Sequence, residues 1–294
     1  MVKTKRFRLR DGRFVAWDEY GAPDGIPVIH MHGTPSARIE PAMFGLPEIC
    51  ESLGIRLIAP DRPGVGLSDI QPCRTILDWP TDLAELTDHI GIDRFQMLGY
   101  SGGGVYTLAT ALRMPERVEW ISIVSGTAPF DLPEITAGIN ENSFRFMRMS
   151  VEKPVVAGLM VSMMALTARF VPDRVASQAR QALPAPDADL MRVDENGREF
   201  ARMVREAARS GHRGPRHETA LMVSPWGFEI NDIQTPVHVW HGDVDRNAPI
   251  AMGRYLASNL PNATPHFIEN EGHLSLLKRY AREILANHAL IAGA

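Results

Sequence analysis

The chain has 294 residues, 45% of them hydrophobic and 22% charged, with a formal net charge of −4. That length and apolar share suffice for a sizeable core and exclude a disordered chain, and the lack of a basic excess argues against nucleic acid as a partner, despite the cluster Lys3, Lys5, Arg6, Arg8 and Arg10. Two cysteines, Cys50 and Cys73, offer no framework of disulfides, and no apolar stretch follows the N-terminus, so a reducing, cytoplasmic location without a signal peptide is expected.

Strand-like apolar runs recur at 7–9, 14–19, 28–31, 55–59, 95–98, 120–124, 237–240 and 264–268. Helical patterns lie between several of them, and this alternation predicts a largely parallel sheet in an α/β fold. The basic N-terminal cluster alternates as a solvated strand would. The third run passes into His32-Gly33-Thr34-Pro35, and the fourth into a glycine-rich stretch, DRPGVGLSD, at 61–69. Trp79, Leu83, Leu86 and Ile90 then repeat at helical spacing. Asp78 is the expected N-cap, because Pro80 would fall in the first turn, where its missing N–H costs little.

The fifth run breaks into Gly99-Tyr100-Ser101-Gly102-Gly103 and resumes as a helix face over 105–112, which Met114-Pro115 stops. Gly-x-Ser-x-Gly between a strand and a helix is the nucleophile-elbow pattern. The turn is so tight that side chains two positions either side of the serine would collide, so glycine stands there and Ser101 is pushed outward. An ordinary glycine-rich turn capped by a serine would look similar. A phosphate-binding loop would require a lysine after the glycines, and none follows.

From about 127 to 232 the alternation fails. The stretch reads as helical, rich in methionine and broken by prolines, with Gly211 to Pro215 as a loop, and it looks like an insertion. Residues 154–171 come close to the length of a membrane span, but Ser162, Thr167 and Arg169 interrupt them. A buried or pocket-lining helix is expected there, with no stable membrane insertion. Methionine adapts to irregular apolar shapes, which makes Met147, Met160, Met163 and Met164 candidates for lining a pocket for an acyl or alkyl group. Core filling is the expected use of most of the insertion's methionines, these included.

A serine hydroxyl attacks only if a base takes its proton, and an acid must hold that base in the right tautomer. Downstream, VHVWHGDVD places Asp243 and Asp245 just past one strand, and HFIENEGH places His273 just past the next. Strand ends in a parallel sheet converge on one edge. The order serine, aspartate, histidine is that of the α/β-hydrolases. Charge developing on a tetrahedral intermediate also needs donors, and Gly102, at the head of the helix, offers one. His30 and His32 point to one side of a strand, but no further cluster accompanies them, so no metal and no other cofactor is expected.

Four motifs in this order, HGTP at 32–35, DRPGVGLSD at 61–69, GYSGG at 99–103 and the pair HGDVD at 241–245 with EGH at 271–273, resemble the α/β-hydrolase superfamily over nearly the whole chain. The resemblance implies an α/β-hydrolase fold: a mostly parallel eight-stranded sheet with helices on both faces. Its core would be 1–126 and 232–294, with a helical cap at 127–231. The family's Gly-x-x-Asp spacing implies Asp245 as the acid in preference to Asp243, with Ser101 as nucleophile and His273 as base. Thr34, which follows His-Gly, is implied as the second oxyanion donor beside Gly102, and Asp61 and Arg62 as residues that fix their loop. The implied activity is hydrolysis of small carboxylic esters through an acyl-enzyme, without metal or cofactor. Relatives that open haloalkanes or epoxides carry aspartate at the elbow, where this chain has serine. Three alternatives stay open: a proline-iminopeptidase-like aminopeptidase, although HGTP is poorer in glycine than that family's loop; a C–C bond hydrolase sharing the same triad; and a ligand receptor with little turnover. The expected partner is a small molecule, and the oligomeric state stays open.

Overall fold

Apolar residues on both faces of successive strands demand helices on both sides of a sheet, and the computed structural model, which describes residues 3–192 and 194–292, has that arrangement. The strands are β1 (Lys5–Arg8), β2 (Phe14–Gly21), β3 (Ile26–Met31), β4 (Ile55–Pro60), β5 (Phe95–Tyr100), β6 (Val118–Val124), β7 (Val237–Gly242) and β8 (Ala263–Ile268). They form one sheet in the order β1-β2-β4-β3-β5-β6-β7-β8. Only β2 runs antiparallel to its neighbours; β4-β3-β5-β6-β7-β8 are parallel.

Period-two alternation sorts the core. Ile29, Met97, Ile123 and Val239 face one side, and Val28, Leu98, Val124 and Trp240 the other. Of the helices α1 (Glu40–Phe44), α2 (Leu46–Leu53), α3 (Trp79–His89) and α4 (Gly103–Arg113), α3 and α4 cover the first face. Helix α2 covers the second. Each large side chain so buried contributes about 1.5–3 kcal/mol. The edge strand β1 exposes Lys5, Arg6 and Arg8, and charge on an edge discourages pairing with another chain.

Between β6 and β7 the described residues hold seven α-helices and no strand: α5 (Pro133–Thr136), α6 (Glu141–Glu152), α7 (Pro154–Phe170), α8 (Pro172–Ala182), α9 (Ala185–Leu190), α10 (Asp194–Ala207) and α11 (Arg213–Met222). After β7, α12 (Ile250–Asn259) joins the first face, and the chain closes with α13 (His273–Ala292) on the second.

One local expectation is refined and two are revised. Asp78 stands at the N-cap of α3 with Pro80 in the first turn, as expected, but its carboxylate makes no cap bond there; it accepts from the Thr75 N–H at 2.6 Å and so closes a 3-10 turn over Ile76–Asp78. Pro215 does not lie in a loop, because it enters α11 within the first turn, where no intrahelical donor is needed. Helix α7 is not a buried helix. It buries Ala157, Gly158, Val161 and Ala168, while Val155 (76%), Leu159 (60%), Met163 (69%) and Phe170 (70%) are exposed. Small residues allow close approach of neighbouring helices, so the small face of α7 turned inward and the large one outward. Among the described residues no single helix is long and apolar enough to cross a membrane.

Candidate active site

Parallel strands end on one edge of the sheet, and β5, β7 and β8 each deliver one polar residue there. Ser101 sits between β5 and α4 with φ 52°. A left-handed backbone at a non-glycine residue costs roughly 1–3 kcal/mol and needs surroundings that enforce it. Here the Ser101 amide donates to the Val124 carbonyl at 2.9 Å, and the Ser101 carbonyl accepts from Gly104 at 3.0 Å. A Cβ at position 99 would lie 2.5 Å from Thr107 Oγ1, and one at 103 would strike the Met31 carbonyl. Glycine is therefore required on both sides of the serine.

His273 Nε2 lies 2.9 Å from Ser101 Oγ, and its Nδ1 lies 2.7 Å from Asp245 Oδ2. Asp245 is 4% exposed, and its second oxygen accepts the Asn247 and Ala248 N–H groups at 2.8 and 2.9 Å. The competing carboxylate, Asp243, is exposed and accepts from the Asn270 N–H at 2.7 Å. Burial acts to depress the His273 pKa, but the Asp245 carboxylate outweighs it, with Asp187 and Glu40 adding to the effect, so the ring's pKa is raised above the ordinary 6.5.

Beside the serine, a Cβ on Gly102 would lie 2.9 Å from both Thr34 Oγ1 and Met222 Sδ, so these three residues meet at one point. Among the described residues, the Thr34 and Gly102 amides donate to no protein acceptor. The Thr34 loop is gripped from behind. Glu40, wholly buried, accepts the Gly33 N–H at 3.0 Å and bonds His30 Nε2 at 2.7 Å. Arg62, equally buried, donates to the His32 and Gly33 carbonyls at 2.6 and 3.2 Å. Glu218 of α11 bridges Arg62 and Arg74; burial would raise its pKa, but the two guanidiniums hold it below the ordinary carboxylate value. Asp61 fixes its own loop, accepting from the Arg38 and Leu67 amides at 2.7 and 2.9 Å. Such a site can attack an electrophilic carbonyl, hold the resulting oxyanion and pass a proton to a leaving group.

The structure brings Ser101, Asp245, His273, Thr34 and Gly102 together. Met160 and Met163 are 42% and 69% exposed on α7, Met164 packs within the insertion, and Met147 is half-buried on α6. Met222 approaches the serine turn, and two buried acids that no local pattern marks, Glu40 and Asp187, hold the Gly33 and His273 amides.

A family model described as alpha/beta hydrolase fold matches residues 26–280. The chain is 33% identical to a proline iminopeptidase of Neisseria gonorrhoeae over 132 residues, which is 43% of this chain and 40% of that protein, so the likeness spans well under half of that relative. It is 27% identical to a 2-hydroxymuconate semialdehyde hydrolase of Pseudomonas putida over 267 residues, 88% of this chain and 85% of that one. Among solved structures, a thermophilic esterase from Thermogutta terrifontis superposes with a TM-score of 0.69 at 21% identity, covering 99% of this chain and 98% of its own.

Proposed function

The chain belongs to the α/β-hydrolase fold family, and from that premise we propose that it is a serine hydrolase that cleaves small carboxylic esters through an acyl-enzyme. The observation that carries this reading is the unbroken hydrogen-bonded line from Ser101 through His273 to Asp245, with two unpaired backbone donors beside it. Ser101 Oγ attacks the ester carbonyl as His273 takes its proton. The Thr34 and Gly102 amides hold the oxyanion. Collapse expels the alcohol, which receives the proton back from His273, and water repeats the sequence on the acyl-enzyme.

An aminopeptidase must also seat a free ammonium on a carboxylate. In the insertion those groups are engaged elsewhere: Glu152 with Arg148, Asp189 with Arg192, Glu199 with Arg202, Glu206 with Arg38 and Arg209, and Glu218 with Arg62 and Arg74. Asp187 accepts only backbone N–H groups, and Glu141, Asp194 and Glu195 are exposed. Short-chain p-nitrophenyl esters are therefore expected to be cleaved with higher kcat/KM than proline anilide by the same preparation. A preference for the anilide would transfer the assignment to the aminopeptidase. A second reading, C–C bond hydrolysis, has the support of the Pseudomonas putida relative, which matches over most of both chains; turnover of a vinylogous diketone with neither ester nor anilide cleaved would establish it.

Met222 is 3% exposed and reaches the serine turn from α11. Truncation to alanine opens space there, so Met222→Ala is expected to shift preference toward longer acyl chains. An acyl-length series of p-nitrophenyl esters measures the shift, and an unchanged order with only a lowered Tm would remove Met222 from the pocket wall.

A further inference from the structure

The backbone of His273 opens α13, and a helix leaves its first N–H groups without acceptors of its own. The usual remedy is a Ser, Thr, Asp or Asn side chain at the residue before the helix. That residue is Gly272, which has none. The acceptors come instead from Asp187 of α9, 86 residues upstream of His273: Oδ2 takes the His273 N–H at 2.8 Å, while Oδ1 takes those of Leu274 at 3.0 Å and Ser275 at 2.8 Å. Ser275 Oγ in turn accepts the Gly272 N–H at 2.8 Å. A capping box is thus completed with one half supplied by a distant segment. Asp187 is 0% exposed, and a Cβ on Gly272 would fall 2.5 Å from both of its carboxylate oxygens, so Gly272 is small where Asp187 stands.

We propose that Asp187 is a positioning residue for His273, building the N-terminus of α13 from the helical insertion and so fixing the imidazole between Asp245 and Ser101. This rests on His273 being the general base assigned above. The core already holds the other side of that peptide, because the His273 carbonyl accepts from Tyr100 Oη at 3.1 Å and from Ser125 Oγ at 3.3 Å. With Asp187 on the N–H side, the residue is clamped at both ends, and the insertion is coupled to the proton carrier without touching substrate.

Charge gives a second handle. The groups facing His273 are Asp245 and His241 from β7 and the loop after it, Tyr100 from β5, Glu40 from α1 and Asp187 from α9. Burial depresses the ring's pKa, and the carboxylates, Asp245 foremost and then Asp187 and Glu40, raise it past 6.5. A general base works only when neutral, so kcat/KM should fall as the pH drops through that raised value. Removing the Asp187 charge removes one raising contribution, and the acid limb should move to lower pH.

The test uses Asp187→Ala, Asp187→Asn, Gly272→Asp and Asp187→Ala/Gly272→Asp. Readouts are ester kcat and KM, the rate at which a fluorophosphonate labels Ser101, the NMR titration of the His273 ring, and Tm. Asp187→Ala should lower kcat and the labelling rate by about 10²-fold, the scale of a misplacement of about 1 Å, with KM little changed. Asp187→Asn can keep its oxygen on the Leu274 and Ser275 N–H groups, but its NH2 then faces the His273 N–H, so it should lower both the His273 pKa and the labelling rate. Gly272→Asp alone should be harmful, since two carboxylates would crowd one space; in the Asp187→Ala background it should restore labelling, because a carboxylate at the helix's own N-cap fills the vacancy. A lowered Tm with kcat, labelling and ring titration at wild-type values would overturn the proposal, as would a double variant that regains Tm but not labelling. Should the wild type cleave no ester, the proposed substrate class fails, while the labelling rate and ring titration still decide the role of Asp187.

Discussion

Replacing Ser101 with alanine is expected to lower kcat on a cleavable ester by about 10³- to 10⁶-fold, and His273→Ala by a similar factor. The two groups act on one proton: His273 Nε2 stands 2.9 Å from Ser101 Oγ, and neither has a use without the other. The double variant should therefore lose little more than the worse single one. Saturating kinetics on the three variants check this, and losses that multiply would mean that the residues work independently. Folding should be almost untouched in Ser101→Ala, because alanine at φ 52° carries the same backbone strain. Ser101→Gly should match the loss of activity while raising Tm, since glycine adopts that conformation without penalty.

Asp245→Asn is expected to cost about 10⁴-fold in kcat while the protein stays folded. Oδ1 of Asp245 faces two N–H donors, from Asn247 and Ala248, so an asparagine there would keep its oxygen on them and turn its NH2 toward His273 Nδ1. Nδ1 must then accept, and the ring proton moves to Nε2, where it points at Ser101 and leaves no base for the hydroxyl. Asp243→Asn, whose carboxylate serves the Asn270 amide at an exposed turn, should stay close to wild type. Measuring kcat and Tm for both variants side by side tests the assignment, and the reverse ranking would transfer the role to Asp243.

Much of the sheet could be read from the residues in order because its rules are local. Val28 and Ile29, or Val239 and Trp240, alternate between two buried faces whatever lies far away in the chain. The serine turn was legible for the same reason, since steric demand within a few residues dictates Gly99 and Gly103; the preference for Asp245 over Asp243 came instead from the resemblance to the α/β-hydrolases, whose Gly-x-x-Asp spacing implies it. Local pattern went astray where a second element decided the outcome. Helix α7 is apolar nearly all round, so its sequence alone does not say which side turns inward; packing against the neighbouring helices selected the face with Ala157, Gly158 and Val161 and left Met160 and Met163 outside.

What the sequence by itself determined is the strand alternation and the tight serine turn, since both follow from backbone sterics and short-range periodicity. Only the tertiary structure decided that Glu40 holds the Gly33 amide, that Met222 meets Gly102, and that Asp187 caps α13 in place of a side chain at Gly272. Burial makes the Glu40 and Asp187 contacts obligatory, because a backbone N–H shut away from water must find an acceptor. Which segment supplies that acceptor depends on chain paths 86 residues apart in the case of Asp187, and no local spacing encodes it.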